Sequence, residues 1–320
     1  MGKRTPSDNK GLSSDVIRAI ATITAAFVGA YALLHKPPDT VPDRPLVVLL
    51  MPEKPPVPQA IPSSLSERGT RDIGNASETS ADLTAKEGIE AWLRGDYKTA
   101  FSLLRESAQA GSAKGMVALG DIYWNNFDGV PHEEGQTVSW YRKAIDAGSA
   151  DGMARLGLAY EAGIGGLPRD VSQAVSWYRK AADAGSAEGM RILGVDYWTP
   201  NDGFPKDVNQ AASWFRKAAD AGSVGAMIGL ASMYERHRGT NDGFLPTDEA
   251  QAEYWYRRAA DAGVQGSEGW SAIGMFHLGF YYEHGLGGLQ KNTNQAKSWY
   301  QEAADAGNSD AESALKHLAR

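Results

Sequence analysis

Few residues in this chain have the types and spacing that metal or acid–base chemistry requires. His277, Glu283 and His284 are the compact candidates for metal ligation, and the two histidines are seven residues apart, so they could share one helix face. No further ligand pattern surrounds them, which favours solvated side chains over a metal site. The chain has no cysteine, and this excludes thiol nucleophiles, thiol redox motifs and cysteine-based zinc sites. We expect no metal and no cofactor.

Two glycine-rich segments, 163–166 and 285–288, have a composition that also occurs in phosphate-binding loops. A phosphate loop follows a strand, whereas these segments follow predicted helices. Asp-Gly pairs at Asp128, Asp202 and Asp242 take the same place elsewhere, but they lack the alternating carboxylates of a calcium loop. All five segments are predicted to be turns. Neither a nucleophile elbow nor a His-Glu-x-x-His pattern occurs, so no motif favours catalysis.

An internal repeat determines which elements could position a site. An aromatic pair that begins with Trp recurs at intervals of 37, 37, 41 and 44 residues, at Trp140-Tyr141, Trp177-Tyr178, Trp214-Phe215, Trp255-Tyr256 and Trp299-Tyr300. Upstream of each pair stands a Met that is followed by Leu three, Gly four and Tyr seven residues later. These methionines are Met116, Met153, Met190, Met227 and Met275, and Ala231 replaces one glycine.

The spacings predict two helices in each repeat. Positions i, i+3, i+4 and i+7 lie on one face of an α-helix, so the Met-Leu-Gly-Tyr segment forms a first helix with one apolar stripe. Alanines such as Ala174 and Ala181 flank the aromatic pair at helical spacing and predict a second helix. Small residues opposite aromatic rings allow the two helices to approach closely. Each repeat is therefore predicted to be a helical hairpin.

Capping residues predict the same helix boundaries independently. Second helices are expected to start at four residues that lie three positions before a Gln: Asp170, Asp207, Asp248 and Asn292. Asp-Ala-Gly recurs where these helices should end, and its glycine suits a C-terminal cap. Ser149, Ser186 and Ser223 follow and are predicted to cap the next first helix.

Hairpins of this kind must stack to bury their stripes, which predicts an all-α fold, an α-α solenoid. The recurring Leu-Gly-x-x-Tyr, Gly-x-Gly-Gly, Asp-x-x-x-Ala-x-x-Trp-Tyr and Ala-Ala-Asp-Ala-Gly elements, over about 230 residues, resemble those of Sel1-like repeat proteins, relatives of the tetratricopeptide solenoids. The resemblance implies about five full repeats with capping helices at both ends and a scaffold or adaptor role, in bacteria often in the envelope. We place the repeats near 82–110, 111–147, 148–184, 185–221, 222–262 and 263–306, with a cap at 307–320.

The N-terminal region resembles a membrane anchor. Residues 1–18 carry four Lys or Arg and precede an uncharged stretch from Ala19 to Leu34. This stretch covers about 24 Å as a helix, against about 30 Å of hydrocarbon core. We interpret residues 19–36 as a transmembrane signal anchor that leaves the basic segment in the cytoplasm and the repeats outside. A cleaved signal peptide and a buried or amphipathic helix in a cytosolic protein are the alternatives.

Residues 37–80 are predicted to be a disordered linker. Nine of the fifteen prolines lie between Pro37 and Pro62, which disfavours helix and sheet, and residues 63–80 are rich in Ser, Thr, Gly and charged residues. Leu46–Met51 is an apolar run within this linker. It is either an exposed apolar patch or a docking segment.

Residues that differ between repeats are the candidates for recognition. The residue after the repeated Tyr is Trp124 or Trp198 in two repeats and Glu in three, so the tryptophans either anchor a partner or pack against the adjoining turn. The first helices are expected to line the concave face and to present these tryptophans with Asp121, Arg155 and Arg191. Further candidates lie in insertions, at Arg236, His237 and Trp270. The Arg-Lys pairs of second helices are predicted to form ion pairs with aspartates three or four residues later.

The predicted function is that of an envelope scaffold in the cytoplasmic membrane, a single-pass protein with its repeats on the periplasmic side. It is expected to bind a protein or peptide without a covalent step. A sequence pI of about 5.5 disfavours nucleic acid. The alternatives are an enzyme that acts on cell-wall or β-lactam substrates, which some Sel1-like proteins suggest, and a soluble periplasmic regulator released by cleavage.

Overall fold

The computed structural model of the protein describes residues 79–319 except 126, 128, 129, 132, 134, 200–204, 236–244 and 263. The predicted anchor and nearly all of the predicted linker, including the apolar run, lie outside these residues. Of the helices in the described part, none has the length and hydrophobicity that spanning a bilayer requires. Arg236 and His237 are also outside the described residues.

All regular structure in the described residues is helical, which confirms the predicted all-α fold. The thirteen helices are α1 (Ser80–Leu93), α2 (Tyr97–Gln109), α3 (Ala113–Asn125), α4 (Gln136–Asp146), α5 (Ala150–Ala162), α6 (Val171–Asp183), α7 (Ala187–Trp198), α8 (Val208–Asp220), α9 (Val224–Tyr234), α10 (Glu249–Asp261), α11 (Val264–His284), α12 (Thr293–Asp305) and α13 (Ser309–Leu318). Consecutive pairs from α1–α2 to α11–α12 form six hairpins, and α13 follows the last.

Side-chain caps fix the helix boundaries as predicted. Asp170, Asp207, Asp248 and Asn292 each accept a hydrogen bond from the backbone N–H of the Gln three residues later, and each precedes a second helix. Ser149, Ser186 and Ser223 cap α5, α7 and α9 in the same way. These oxygens satisfy backbone donors that a helix start leaves free, which is why the boundaries follow the sequence so closely.

In four of the six hairpins, an aromatic ring of the second helix lies against a glycine of the first. A Cβ on Gly120, Gly157 or Gly279 would lie 2.5 Å from a carbon of the facing Tyr, and one on Gly194 would lie 2.6 Å from Phe215. These distances are far below van der Waals contact, so only glycine permits the approach. The rings themselves are fully buried, and their burial supplies much of the hydrophobic stabilisation of each hairpin.

Hairpins stack so that the first helices lie side by side. The first helices of adjacent hairpins contact each other from α1 to α11, whereas no comparable contacts join second helices of adjacent hairpins among the described residues. Each first helix also packs on the second helix before it. Because the first helices are closer together, the stack curves around them, and they line its inner side. We call their exposed side the inner face.

Both ends of the described stack place a charge where the repeat has a small or apolar residue. In α1, the residue before Gly88 is Glu87, which is exposed. The equivalent residue of α3, before Gly120, is the buried Leu119. Lys316 of α13 follows Leu315 at the position where a glycine follows leucine in α3, α5, α7 and α11, and it is also exposed. A charge at these positions disfavours the packing of a further hairpin, as expected for capping units.

On the second helices, the contacts of three lysines differ from the sequence prediction. Lys143, Lys180 and Lys217 place their ammonium groups 3.7, 4.1 and 4.2 Å from the ring centroids of Trp140, Trp177 and Trp214. Among the described residues, none of the predicted ion pairs of these lysines with the following aspartates forms. The tryptophan three residues earlier lies directly beneath each ammonium group, and the cation–π contact replaces the ion pair.

Candidate partner-binding face

Contacts between successive first helices identify the residues of the inner face. Arg155 of α5 pairs with Asp121 of α3, with 3.2 Å between Nε and Oδ1. The Ser186 hydroxyl, at the start of α7, donates to Oδ1 of Asp151 in α5 at 2.7 Å. Residues at helical spacing from these pairs share the same side of their helices. The inner face is therefore continuous from α3 to α7.

Charged side chains that pair with one another occupy this end of the inner face. Arg191 is buried and holds Glu188 through two hydrogen bonds of 2.7 and 2.9 Å. Burial raises the pKa of Asp121 above its usual value, although Arg155 and the Tyr141 hydroxyl act in the opposite direction. Burial also disfavours ionisation of Glu188, but the charge and hydrogen bonds of Arg191, together with the charge of Arg155, outweigh it and lower the pKa of Glu188.

These pairs bear on three residues that the sequence analysis proposed for partner binding. The structure brings Asp121 and Arg155 together, and it commits Arg191 to Glu188. All three are engaged within the chain, so a partner would contact their paired forms. Their part in binding remains a prediction.

At the N-terminal end, a carboxylate joins the first two first helices in the same manner. Asp82 of α1 accepts a hydrogen bond of 2.6 Å from the hydroxyl of Ser112, the residue before α3, and one of 2.8 Å from Thr79. The bond from Ser112 is the main reason that the pKa of Asp82 is lowered. A carboxylate whose pKa is lower in the folded state stabilises the fold above its unfolded pKa and loses this effect in acid.

We therefore expect a pH-dependent effect of Asp82→Asn. At pH 7 the substitution should lower the melting temperature by about 2 °C, because the carboxylate is partly exposed and its contribution is small. The difference should shrink as the pH falls below the ordinary aspartate pKa of 3.8 and vanish below the lowered pKa of Asp82, where the carboxylate of the unmodified chain is protonated. Thermal unfolding followed by circular dichroism measures both values. Asp183→Asn, at the exposed end of α6, is the control, and an Asp82→Asn effect that does not decrease as the solution is acidified would contradict the account.

Trp124 and Trp198 are half-buried and pack within the chain. The ring of Trp198 meets that of Phe215 edge-on, with centroids 6.0 Å apart, and Trp124 contacts Tyr141 at 6.5 Å. Both rings also contact the hydrophobic cores beneath the inner face. The sequence left two interpretations of these tryptophans open, partner anchors or side chains packed within the chain, and the contacts in the structure are those of packed side chains. Trp270 is buried as well, at 3% exposure, and lies in α11, which the predicted insertion lengthens.

The glutamates at the same place explain why this residue varies. Each accepts a hydrogen bond from the tyrosine hydroxyl of its own hairpin: Glu161 from Tyr178 at 2.5 Å, Glu235 from Tyr256 at 3.1 Å and Glu283 from Tyr300 at 2.8 Å. Where Trp124 replaces the glutamate, the Tyr141 hydroxyl donates to Asp121 instead. Where Trp198 replaces it, the facing residue is Phe215, which has no hydroxyl. Burial and the neighbouring carboxylate raise the pKa of Tyr178 and Tyr256, so both donate at neutral pH.

This pairing was not predicted, because the residue after the repeated Tyr and the second residue of the aromatic pair were considered separately. The sequence does indicate it: among the five aromatic pairs, the one with Phe instead of Tyr belongs to the hairpin that carries Trp198.

The sequence analysis also missed the apolar part of the inner face. The position five residues after the repeated Met, which is Asp121 in α3, is occupied in the following first helices by Leu158, Val195, Ser232 and Phe280. We call these four residues the inner strip. Phe280 is 38% exposed, and the other three are half-buried. The inner face thus changes from charged to apolar and aromatic along the stack.

The two histidines considered for metal binding have other contacts. His277 stacks on Tyr256 at 4.2 Å, and its Nδ1 lies 3.5 Å from Oε1 of Glu235. His284 lies in the last turn of α11, with Nδ1 3.0 Å from the Phe280 carbonyl oxygen. Within the part of the chain that the structure describes, no three metal-ligating side chains come together.

Comparison with known proteins agrees with this architecture. The sequence model of the Sel1 repeat matches six segments, at residues 87–112, 113–149, 150–186, 187–223, 224–264 and 272–308. No curated protein matches the chain.

Solved structures with the same fold include two that are more than a quarter identical to this chain over the matched region. The c5321 protein of uropathogenic Escherichia coli, described as a protective antigen with an SLR fold, is 28% identical over 75% of the chain with a TM-score of 0.52, and the match covers 49% of c5321. A Sel1 repeat protein from Oxalobacter formigenes is 26% identical over 74% of the chain, with a TM-score of 0.53, and 88% of it is covered. The chain thus spans about half the length of the E. coli structure.

Proposed function

This chain belongs to the Sel1 repeat family, whose repeats generally mediate protein–protein interactions, and we propose that it is a scaffold that binds a protein or peptide partner on its inner face. The observation that supports the inner face is its composition. Three second helices, α4, α6 and α8, repeat the same sequence of Trp, Arg and Lys, whereas the inner strip and its charged neighbours differ between the hairpins that contain these helices. A surface that selects one partner needs such differences.

The chemistry of the inner face favours binding over catalysis. Its charged groups, Asp121, Arg155, Glu188 and Arg191, are paired with one another, and its apolar end offers Phe280 for contact. Aromatic side chains that lose their remaining exposure on binding are common energetic centres of interfaces. A protein or peptide segment that lies along the first helices would bury this strip.

We further propose that the scaffold is held at the cytoplasmic membrane with its repeats outside the cytoplasm. The support comes from the sequence: a basic segment, the uncharged stretch Ala19–Leu34 and a proline-rich linker precede the repeats. A tether of this kind would keep the inner face close to partners at the membrane and raise their effective concentration.

Photo-crosslinking in cells of the source organism tests the binding face. A photo-reactive amino acid at Ser232, inside the strip, should capture a partner. The substitutions Leu158→Glu and Val195→Glu together should reduce capture at least tenfold, because each places a charge in the apolar strip.

The matched control carries Ser176→Glu and Ser213→Glu on exposed sides of α6 and α8. Both variants should keep their helical circular dichroism, so that loss of capture is not loss of folding. Equal capture by the two variants would mean that the partner binds elsewhere.

A further inference from the structure

We propose that the apolar run Leu46–Met51 of the chain's own N-terminal segment binds the inner strip and competes with the partner for it. This inference rests on the proposed function, because it assigns a regulator to the same face. The run and the strip are parts of one molecule, so their contact needs no second component.

Three of the four residues of the inner strip are apolar: Leu158, Val195 and Phe280. Leu158 lies three residues after Arg155 and Val195 lies four after Arg191, so both are on the side of their helices that carries the charged pairs. Phe280 lies three residues after His277, which reaches back to Glu235 of the preceding hairpin. These three side chains thus share the inner face.

Exposure distinguishes Phe280 from the rest of this surface. In the described residues, the large hydrophobic side chains that stay exposed are Leu83, Tyr254 and Phe280. Leu83 lies in α1, on the side where the first helices of later hairpins pack against the preceding second helix. Tyr254 lies in the second helix α10. Phe280 alone of the three is on the inner face. Phe280 therefore contributes exposed apolar area to the inner face, and a segment that covers it removes this area from water.

The sequence of the run fits such a surface. Leu46–Met51 contains six apolar residues without a charge, and Pro45 and Pro52 border it. Proline restricts the backbone to extended conformations and removes a donor, which disfavours a helix through these positions. An extended segment directs alternate side chains to one side, so every second residue of the run would face the strip. The four residues on either side of the run are all proline or charged.

The length of the intervening chain permits this contact. The 27 residues from Pro52 to Glu78 separate the run from Thr79. Fully extended, they span about 90 Å at 3.3 Å per residue. Six hairpins with helices about 10 Å apart cover about 60 Å, so the run can reach Phe280 near the far end. A tethered ligand of this kind has a local concentration in the millimolar range.

Crosslinking within the purified full chain in lipid vesicles tests the proposal. A photo-reactive amino acid replaces Phe280 in one variant and Leu83 in another, and mass spectrometry locates the crosslinked peptides. If the linker moved at random, residues 46–51 would meet position 83 at least as often as position 280, because Leu83 is only four residues from Thr79, where the linker ends. Docking on the inner strip predicts at least fivefold more crosslinking to residues 46–51 from position 280 than from position 83.

Two further measurements make the outcome decisive. Val48→Asp with Leu50→Asp keeps the length of the tether and should abolish the crosslink from position 280. A mixture of isotope-labelled and unlabelled chains should give crosslinks within one chain, and mixed products would assign the strip to a second copy and overturn the proposal. Equal yields from positions 83 and 280, or no product from residues 46–51, would overturn it too. Because no partner is present, such a failure leaves the proposed scaffold function unaffected, and failure of partner capture leaves this result unaffected.

Discussion

Replacing Gly157 by alanine should destabilise the repeat domain by about 3 kcal/mol. A Cβ at this position would lie 2.5 Å from Cε1 of Tyr178 and 3.2 Å from the carbonyl oxygen of Ala174. The ring is fully buried and donates its hydroxyl hydrogen bond to Glu161, so it cannot move aside without losing that bond. Helices α5 and α6 must then separate, and both apolar faces lose contacts. Urea unfolding of the full chain, followed by circular dichroism, measures the change.

The natural sequence supplies a control for this prediction. In the fifth hairpin, α9 already carries Ala231 at the corresponding position, and it is fully buried. Ala231→Gly should cost only about 1 kcal/mol, mainly because glycine lowers helix propensity. If Gly157→Ala costs less than about 0.5 kcal/mol, the close approach of glycine and tyrosine does not limit the packing of the hairpin.

In the fourth hairpin, Trp198 and Phe215 occupy the positions of the glutamate and tyrosine that bond each other in neighbouring hairpins. Replacing both residues by Glu and Tyr should show strong energetic coupling between the two positions. Trp198→Glu alone should cost about 3 kcal/mol, because it removes a half-buried ring and leaves a carboxylate beside Phe215 without the hydroxyl that pairs with Glu161 in α5. Phe215→Tyr alone should cost about 1 kcal/mol, because the new hydroxyl faces the Trp198 ring. With both changes, the hydrogen bond of the neighbouring hairpins can form, and a coupling energy of about 2 kcal/mol in favour of the double variant is expected.

A double-mutant cycle from urea unfolding measures this coupling. The same cycle at Glu161 and Tyr178, replaced by Trp and Phe, is the matched control and should give coupling of the same sign. Additive costs at Trp198 and Phe215 would mean that the two positions vary independently.

Local features were predictable because local interactions decide them. A cap such as Asp170 bonds a backbone N–H three residues away, and the Met-Leu-Gly-Tyr spacing sets the apolar side of one helix. Neither depends on the rest of the chain. The glycine at 157 was expected to face an aromatic ring for the same reason, because both lie in one hairpin.

Predictions about single side chains on the surface succeeded less often. The lysines of the second helices were expected to pair with aspartates, but the rings of Trp140, Trp177 and Trp214 lie closer to them. For Trp124 and Trp198 the sequence left two interpretations open, and the structure packs both rings within the chain. Several partners are available to an exposed side chain within a few ångströms, and their energies differ by less than about 1 kcal/mol.

By itself, the sequence determined the helices, their caps, the hairpins and the need to stack, since a 37-residue repeat with one apolar stripe per helix has few other ways to bury that stripe. Only the tertiary structure decided which residues of different hairpins meet: Arg155 with Asp121, Ser186 with Asp151 and His277 with Glu235. These residues are more than thirty positions apart, and their contact depends on the angle at which hairpins stack. That angle follows from the packing of many side chains together, which no local spacing specifies.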